Sequence, residues 1–174
     1  MQKQSLMFIA MLCLIFASEA KEMLTDEQQL GKLLYEDEDL SLNRNQSCAS
    51  CHSLKPVHQQ NAILKLVPGF VDPENVKRGT PVSSGSIPGV TGALNAPSAG
   101  YAAFSPLFHW DDAEGLYVGG QFWNGRASNL TEQAKGPFLN PVEMAMPNEW
   151  SVVSRLKENR DYRKLFYDFN LDKY

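Results

Sequence analysis

Cys48-Ala49-Ser50-Cys51-His52 sets two thiols and an imidazole inside five consecutive residues. This C-x-x-C-H run is the attachment pattern of a c-type haem. On one helical turn, each thiol can add to a haem vinyl group. His52 then reaches the iron as its proximal ligand. Other chemistries use the same residue types. A structural zinc site would need two further ligands, usually from a second C-x-x-C pair, and the sequence has none; His58 and His109 do not pair with His52 as ligands. A thiol–disulfide site would want a βαβ context, and a chance occurrence is the bland alternative. Covalent haem is the leading reading.

These residues need elements to position them. Thr25-Asp26-Glu27-Gln28 is a capping-box pattern, and Leu30, Leu33 and Leu34 follow at helical spacing, which predicts a helix over 26–36. Residues 37–47 are polar and turn-like, and a short helix is expected to carry Cys48 to His52. Residues 53–100 are punctuated by Pro56, Pro68, Gly69, Gly79, Pro81, Gly85, Pro88, Gly89, Gly92 and Pro97 and read as loop, with one short helix over 59–67. Asn129 and Glu132 mark a helix start, with the stop placed at Gly136-Pro137. Asn148 caps a further helix whose Trp150, Val153 and Leu156 share a face. After a break at 159–161, another helical patch covers 162–169. Strand patterning is nowhere evident. The expected fold is mostly α, a cytochrome c-like haem domain with long loops around the haem.

Residues 1–20 read as a secretory signal: Lys3 supplies the charge, residues 5–16 the apolar run, and Ala17-Ser18-Glu19-Ala20 a cleavage site near Ala20. The run is short for a membrane span. Cys13 falls in the discarded segment. Domain expectations are a signal peptide over 1–20 and a haem domain over 21–174. About 150 residues remain, enough for one compact domain. Export to the periplasm agrees with covalent haem. The net charge of -4 argues against nucleic-acid binding and suits a basic redox partner.

Three stretches after the haem motif sharpen the reading. They are Asn95-Ala96-Pro97-Ser98, then Gln121-Phe122-Trp123-Asn124-Gly125-Arg126-Ala127, then residues 130–137 (LTEQAKGP) leading into Asn140-Pro141-Val142-Glu143-Met144. In this order they resemble the N-terminal haem domain of the bacterial di-haem cytochrome c peroxidases, a superfamily that includes the methylamine-utilisation di-haem enzymes. The resemblance runs from about residue 30 to 169. It implies a peroxidatic haem that reduces hydrogen peroxide to water with electrons from a small redox protein, a cytochrome c or a cupredoxin. It implies Gln133 and Glu143 as the distal polar pair and Trp123 as the tryptophan between two haems. It implies Asn95 as one ligand of an inter-domain calcium, and a homodimer of the full-length protein. Arg126 is a candidate partner for a haem propionate.

Elementary chemistry supports the same residue types. Heterolysis of peroxide moves a proton from one oxygen to the other. A carboxylate such as Glu143 can take and return it, Gln133 can orient the substrate, and Trp123 offers an oxidisable ring. The competing function is a mono-haem electron carrier with Met144 or Met146 as sixth ligand.

The chain also departs from the family pattern. No second C-x-x-C-H occurs in the 174 residues, so the second haem domain is expected on a continuation of the gene or on a partner chain. Asn124 stands where the family usually has aspartate. His58 is too close to His52 to be assigned as a distal ligand. Residues 100–120 form a longer insert, read as a loop at the haem edge or on a partner surface.

Overall fold

Leu30 is the only buried residue of the first helix, α1 (Asp26–Glu36). Thr25 Oγ1 accepts from the Gln28 N–H at 3.3 Å, and the Thr25 N–H donates to Gln28 Oε1 at 2.9 Å. This reciprocal box satisfies donors that the first turn would otherwise leave open. The expected bounds of α1 and its cap are the observed ones. The computed structural model describes residues 23–54 and 71–169. The signal segment, Cys13, His58 and the helix expected over 59–67 lie outside the described residues.

After α1, a 3-10 turn at Glu38–Leu40 leads to α2 (Cys48–Cys51). Then come α3 (Pro73–Arg78), a hairpin of β1 (His109–Asp111) and β2 (Leu116–Val118), α4 (Leu130–Leu139), α5 (Glu149–Glu158) and α6 (Arg160–Asp168). Helix α1 packs on α2, and α5 packs on α4, on α6 and on the 3-10 turn. The fold is mostly helical, as the sequence suggests. No helix of the described residues is long and apolar enough to cross a membrane.

Three local expectations are corrected. The 53–100 stretch contains α3, which carries full helix punctuation: Asp72 Oδ1 accepts from the Glu74 and Asn75 N–H groups, Pro73 opens the helix, and Gly79 closes it at φ +67°. Six residues are too few to show an apolar period. Helix α4 runs through Gly136-Pro137 to Leu139. Proline lacks one donor and the helix tolerates that near its end, where the Asn140 N–H still reaches Gly136 O at 3.2 Å. Residues 100–120 hold the antiparallel hairpin, His109 opposite Val118 and Asp111 opposite Leu116. Its strands are three residues long, too short to display alternation.

The core is small. Leu30, Leu40, Ala127, Met144, Met146 and Tyr162 are its buried apolar members. The Trp150 face of α5 is not among them, since Trp150 is 71% and Val153 42% exposed. Polar ties do much of the positioning. The Leu42 N–H donates to Met144 O at 2.8 Å. Arg155 donates to the Asp39 and Leu42 carbonyls, each at 3.2 Å. Arg44 pairs with Asp39 at 3.1 Å and Glu158 at 2.5 Å. The tyrosine hydroxyl of Tyr162 donates to Asp37 Oδ2 at 2.7 Å. Together these fix the 37–47 loop, the lead-in to the cysteine turn, against the C-terminal helices.

Candidate functional site: the C-x-x-C-H turn and its surroundings

Serine punctuation starts the turn: the Ser47 N–H donates to Ser50 Oγ at 3.0 Å. The His52 N–H closes it on Cys48 O at 2.9 Å. Both thiols are therefore on one helical turn, and both are free rather than joined. His52 follows directly as the C-cap. Tyr35 on α1 donates its hydroxyl to His52 O at 2.7 Å. Burial pushes the Tyr35 phenol well above its ordinary range, so it stays protonated and remains a donor. Tyr35→Phe is expected to lower stability by about 1 kcal/mol, read as a fall in the melting temperature.

Glu143 joins this group. Its carboxylate is near enough to raise the pKa of both Cys48 and Cys51, whose thiols are pushed up mainly by burial. It sits in a turn after α4, shaped by Glu143 N–H to Asn140 O at 3.0 Å and Met144 N–H to Pro137 O at 3.2 Å. Asn140 Nδ2 donates to Glu143 Oε1 at 2.7 Å. Oε2 has no hydrogen-bond partner among the described residues. Burial raises the Glu143 pKa; the Asn140 hydrogen bond and the Arg126 charge pull it back in part, and the net direction is up.

Other predicted residues are placed less centrally. Gln133 is half-buried on α4. Trp123 is 65% exposed, on a sharp turn with Phe122 at φ +63° and Gly125 at φ +66°. Arg126 lies over the Phe122 ring at 3.4 Å and donates to Asn124 Oδ1 at 3.2 Å. Asn124 thus keeps an acceptor for Arg126 where an aspartate would have offered a charge. Asn95 is exposed in a loop.

Sequence reading passed over Tyr35, Gln46 and Ser83. Gln46 Nε2 donates to Cys51 Sγ at 3.4 Å, and Ser83 is near enough to that thiol to pull its pKa down against the burial that raises it. Neither carries a motif signal.

The donor set fits a covalently held haem. The thiols are unjoined, three positions apart, on one turn, with an imidazole next in chain. Among the described residues, no three His, Cys, Asp or Glu side chains gather as a metal site, so the structure adds nothing to the zinc alternative. Met144 and Met146 are each 3% exposed, buried among the protein's own atoms.

The model of the di-haem cytochrome c peroxidase family matches residues 25–170. The chain belongs to that family. Haem c is the cofactor this membership implies. The chain is 46% identical over 137 residues to methylamine utilization protein MauG of Paracoccus denitrificans, a match covering 79% of this chain and 32% of that protein. It is 33% identical over 146 residues to cytochrome c peroxidase Ccp of Escherichia coli, covering 83% of this chain and 24% of the relative. The diheme peroxidase BthA of Burkholderia thailandensis superposes with a TM-score of 0.65 at 32% identity, over 81% of this chain and 32% of that one. A MauG-like protein associated with microbial copper homeostasis superposes at 0.58 with 29% identity, over 86% of this chain and 35% of its own. The chain thus spans about a third or less of the length of these relatives.

Proposed function

We propose that this chain is the peroxidatic haem domain of an exported di-haem peroxidase that reduces hydrogen peroxide to water. The carrying observation is a half-buried carboxyl, Glu143, held beside the C-x-x-C-H turn with one oxygen fixed by Asn140. Cys48 and Cys51 would hold the haem, and His52 would ligate its iron. The haem, when bound, supplies the iron at which the O–O bond is split.

The protein's part is proton handling. Glu143 Oε2 takes the proton from the near oxygen of peroxide and returns it to the departing one. Asn140 keeps the carboxyl from swinging, because its amide grips Oε1. Burial keeps the proton affinity of Glu143 high enough for the return step. Gln133 orients peroxide through its amide, Trp123 carries electrons from a second haem domain, and Arg126 meets a propionate. Asn95 contributes one oxygen to a calcium site completed by that domain. The electron donor is a small redox protein, and the location is the periplasm.

The carrier alternative is tested against the same material. Met144→Leu with Met146→Leu conserves volume and is expected to cost under about 1.5 kcal/mol per site. The visible spectrum of the haem-loaded protein should be unchanged. Loss of a methionine charge-transfer band in that variant would replace the peroxidase reading with the carrier. Rapid spectral change of the ferric wild type on adding peroxide is the positive result.

A further inference from the structure

We propose that the β1–β2 hairpin and helix α4 clamp the turn that carries Trp123, through Phe108 and Phe122, and that these two phenylalanines are positioning residues for electron delivery to the haem. The 100–120 insert then has a task. This assignment rests on the reading of Trp123 as the electron relay.

Trp123 is 65% exposed, so its place is set by its turn and not by its own packing. The stem of that turn is closed by the Gln121 N–H, which donates to Ala127 O at 2.8 Å, and Ala127 is buried. Two rings grip the turn on either side of Trp123.

The first ring belongs to Phe108, at the base of the hairpin. Gly125 has φ +66°, and a Cβ there would lie 2.6 Å from Phe108 Cε2 and 2.8 Å from Cδ2. The ring therefore rests where only a bare glycine leaves room. A Cβ at Gly120, φ +73°, would lie 3.0 Å from Phe108 Cβ. On its other side the Phe108 ring stacks on Tyr117 of β2 at 5.2 Å. Its backbone is tied as well, the Phe108 N–H donating to Ser128 O at 3.2 Å. Further ties hold the insert to the same turn: the Gly120 N–H donates to Pro106 O at 2.9 Å, Ser105 Oγ donates to Gly120 O at 3.0 Å, and Gln121 Nε2 donates to Ala102 O at 3.1 Å.

The second ring is Phe122 itself. Its φ of +63° is one that a non-glycine residue keeps only when its surroundings impose it. The Arg126 guanidinium covers the ring at 3.4 Å, and Arg126 is held in turn by Asn124 Oδ1 at 3.2 Å. The tip of the ring sits on α4, where a Cβ at Gly136 would lie 3.0 Å from Phe122 Cζ. Gln133 is one helical turn before Gly136, on the same face. Gly136 O accepts from the Asn140 N–H at 3.2 Å, and Asn140 holds Glu143. The Trp123 turn is thus seated on the helical turn between the two distal polar residues. A relay fixed to that helix keeps one distance to the site where its electrons are used, which is what positioned transfer needs.

The test uses the haem-loaded full chain carrying Trp110→Phe and Trp150→Phe, so that Trp123 is the sole tryptophan. Its fluorescence lifetime reports distance to the haem, because quenching by energy transfer falls steeply with separation. Its anisotropy decay reports local motion. Phe108→Ala and Phe122→Ala are each expected to spread one dominant lifetime into several and to at least about double the fast component of the anisotropy decay, since a turn freed from packing moves on the ps–ns scale that this decay reads. Gly136→Leu fills the seat of the Phe122 ring with a good helix former and should shift the lifetime in the same way. Melting temperature is measured alongside. A merely structural role lowers it and leaves both fluorescence readouts where they were below the melt; that result would overturn the clamp. Trp123→Phe separates this from the relay reading. Peroxide turnover driven by a reduced small redox protein should slow in that variant. An unchanged rate would remove the relay, and with it the purpose assigned to the clamp.

Discussion

Glu143→Gln is expected to slow peroxide cleavage by about 100- to 10,000-fold, the usual range for removing a positioned general base, with haem content unchanged. Glutamine keeps the shape and can still accept from Asn140 through its carbonyl. It cannot take a proton at the second position. The effect should fall on the peroxide step, measured by stopped-flow absorbance of the haem-loaded protein. Its pH profile follows from the site. The base form is the carboxylate, so the rate rises as pH rises through the Glu143 pKa. Because burial lifts that pKa, the acid limb should lie above the ordinary carboxylate range. Asn140→Ala removes the hydrogen bond that pulls the pKa down, so it should move the limb to still higher pH. A Glu143→Gln protein with the wild-type rate would take Glu143 out of the mechanism.

Legibility of the fold in the sequence tracked the strength of local punctuation. Thr25 and Gln28 announce α1 because the capping box is written in adjacent side chains. Asn129 and Asn148 mark α4 and α5 for the same reason: their side chains accept from Glu132 and Ser151 N–H groups at 2.9 Å. One detail at α4 differs. Glu132 reaches back to the Ser128 N–H at 2.9 Å rather than to the cap residue, because the chain enters α4 one residue offset from a simple box. The hairpin escaped notice because its evidence is tertiary. Phe108 stacks on Tyr117 at 5.2 Å, and Tyr117 meets Trp110 edge-on at 5.1 Å. Such pairs stabilise two short strands whose sequences hold no alternation.

The site was legible where chemistry is contiguous in sequence and opaque where it is assembled across loops. Cys48, Cys51 and His52 are neighbours in the chain. Glu143 is far from them in sequence, and only motif resemblance singled it out. Gln46 reaches Cys51 from the lead-in loop, and its residue type at that position announces no role. Trp150, Val153 and Leu156 were legible as one face of α5, but whether that face is covered was not. Helical spacing shows that residues share a face, but not whether that face is covered. Here Trp150 lies under Lys157, 5.8 Å from its ring centroid, and remains largely open to solvent.

Gly85→Ala should be strongly destabilising. A Cβ at Gly85 would lie 2.5 Å from Val142 O, 2.8 Å from Val142 C and 3.2 Å from Glu143 O. All three are backbone atoms, so no rotamer change relieves the clash. The neighbouring residue shows why the strands of chain lie so close: the Ser86 N–H donates to Glu143 O at 2.7 Å. Ser86 is fully buried, its Oγ accepting from the Asn43 N–H at 3.0 Å and donating to Asn45 Oδ1 at 2.7 Å. A methyl group at Gly85 must therefore push its own loop away from the loop that fixes Glu143, and Ser86 ties that first loop to the lead-in to the cysteine turn. The expected loss is about 1–3 kcal/mol, or roughly 3–10 °C in Tm. Gly31→Ala is the control. A Cβ there meets nothing within 4 Å, and alanine in a helix interior should stabilise by about 1 kcal/mol. Because the displaced backbone belongs to Val142 and Glu143, Gly85→Ala should also disturb the acid limb of peroxide cleavage in whatever fraction remains folded. A variant that melts with the wild type would mean that these two loops do not meet as described, and Glu143 would lose the support that holds it beside the thiols.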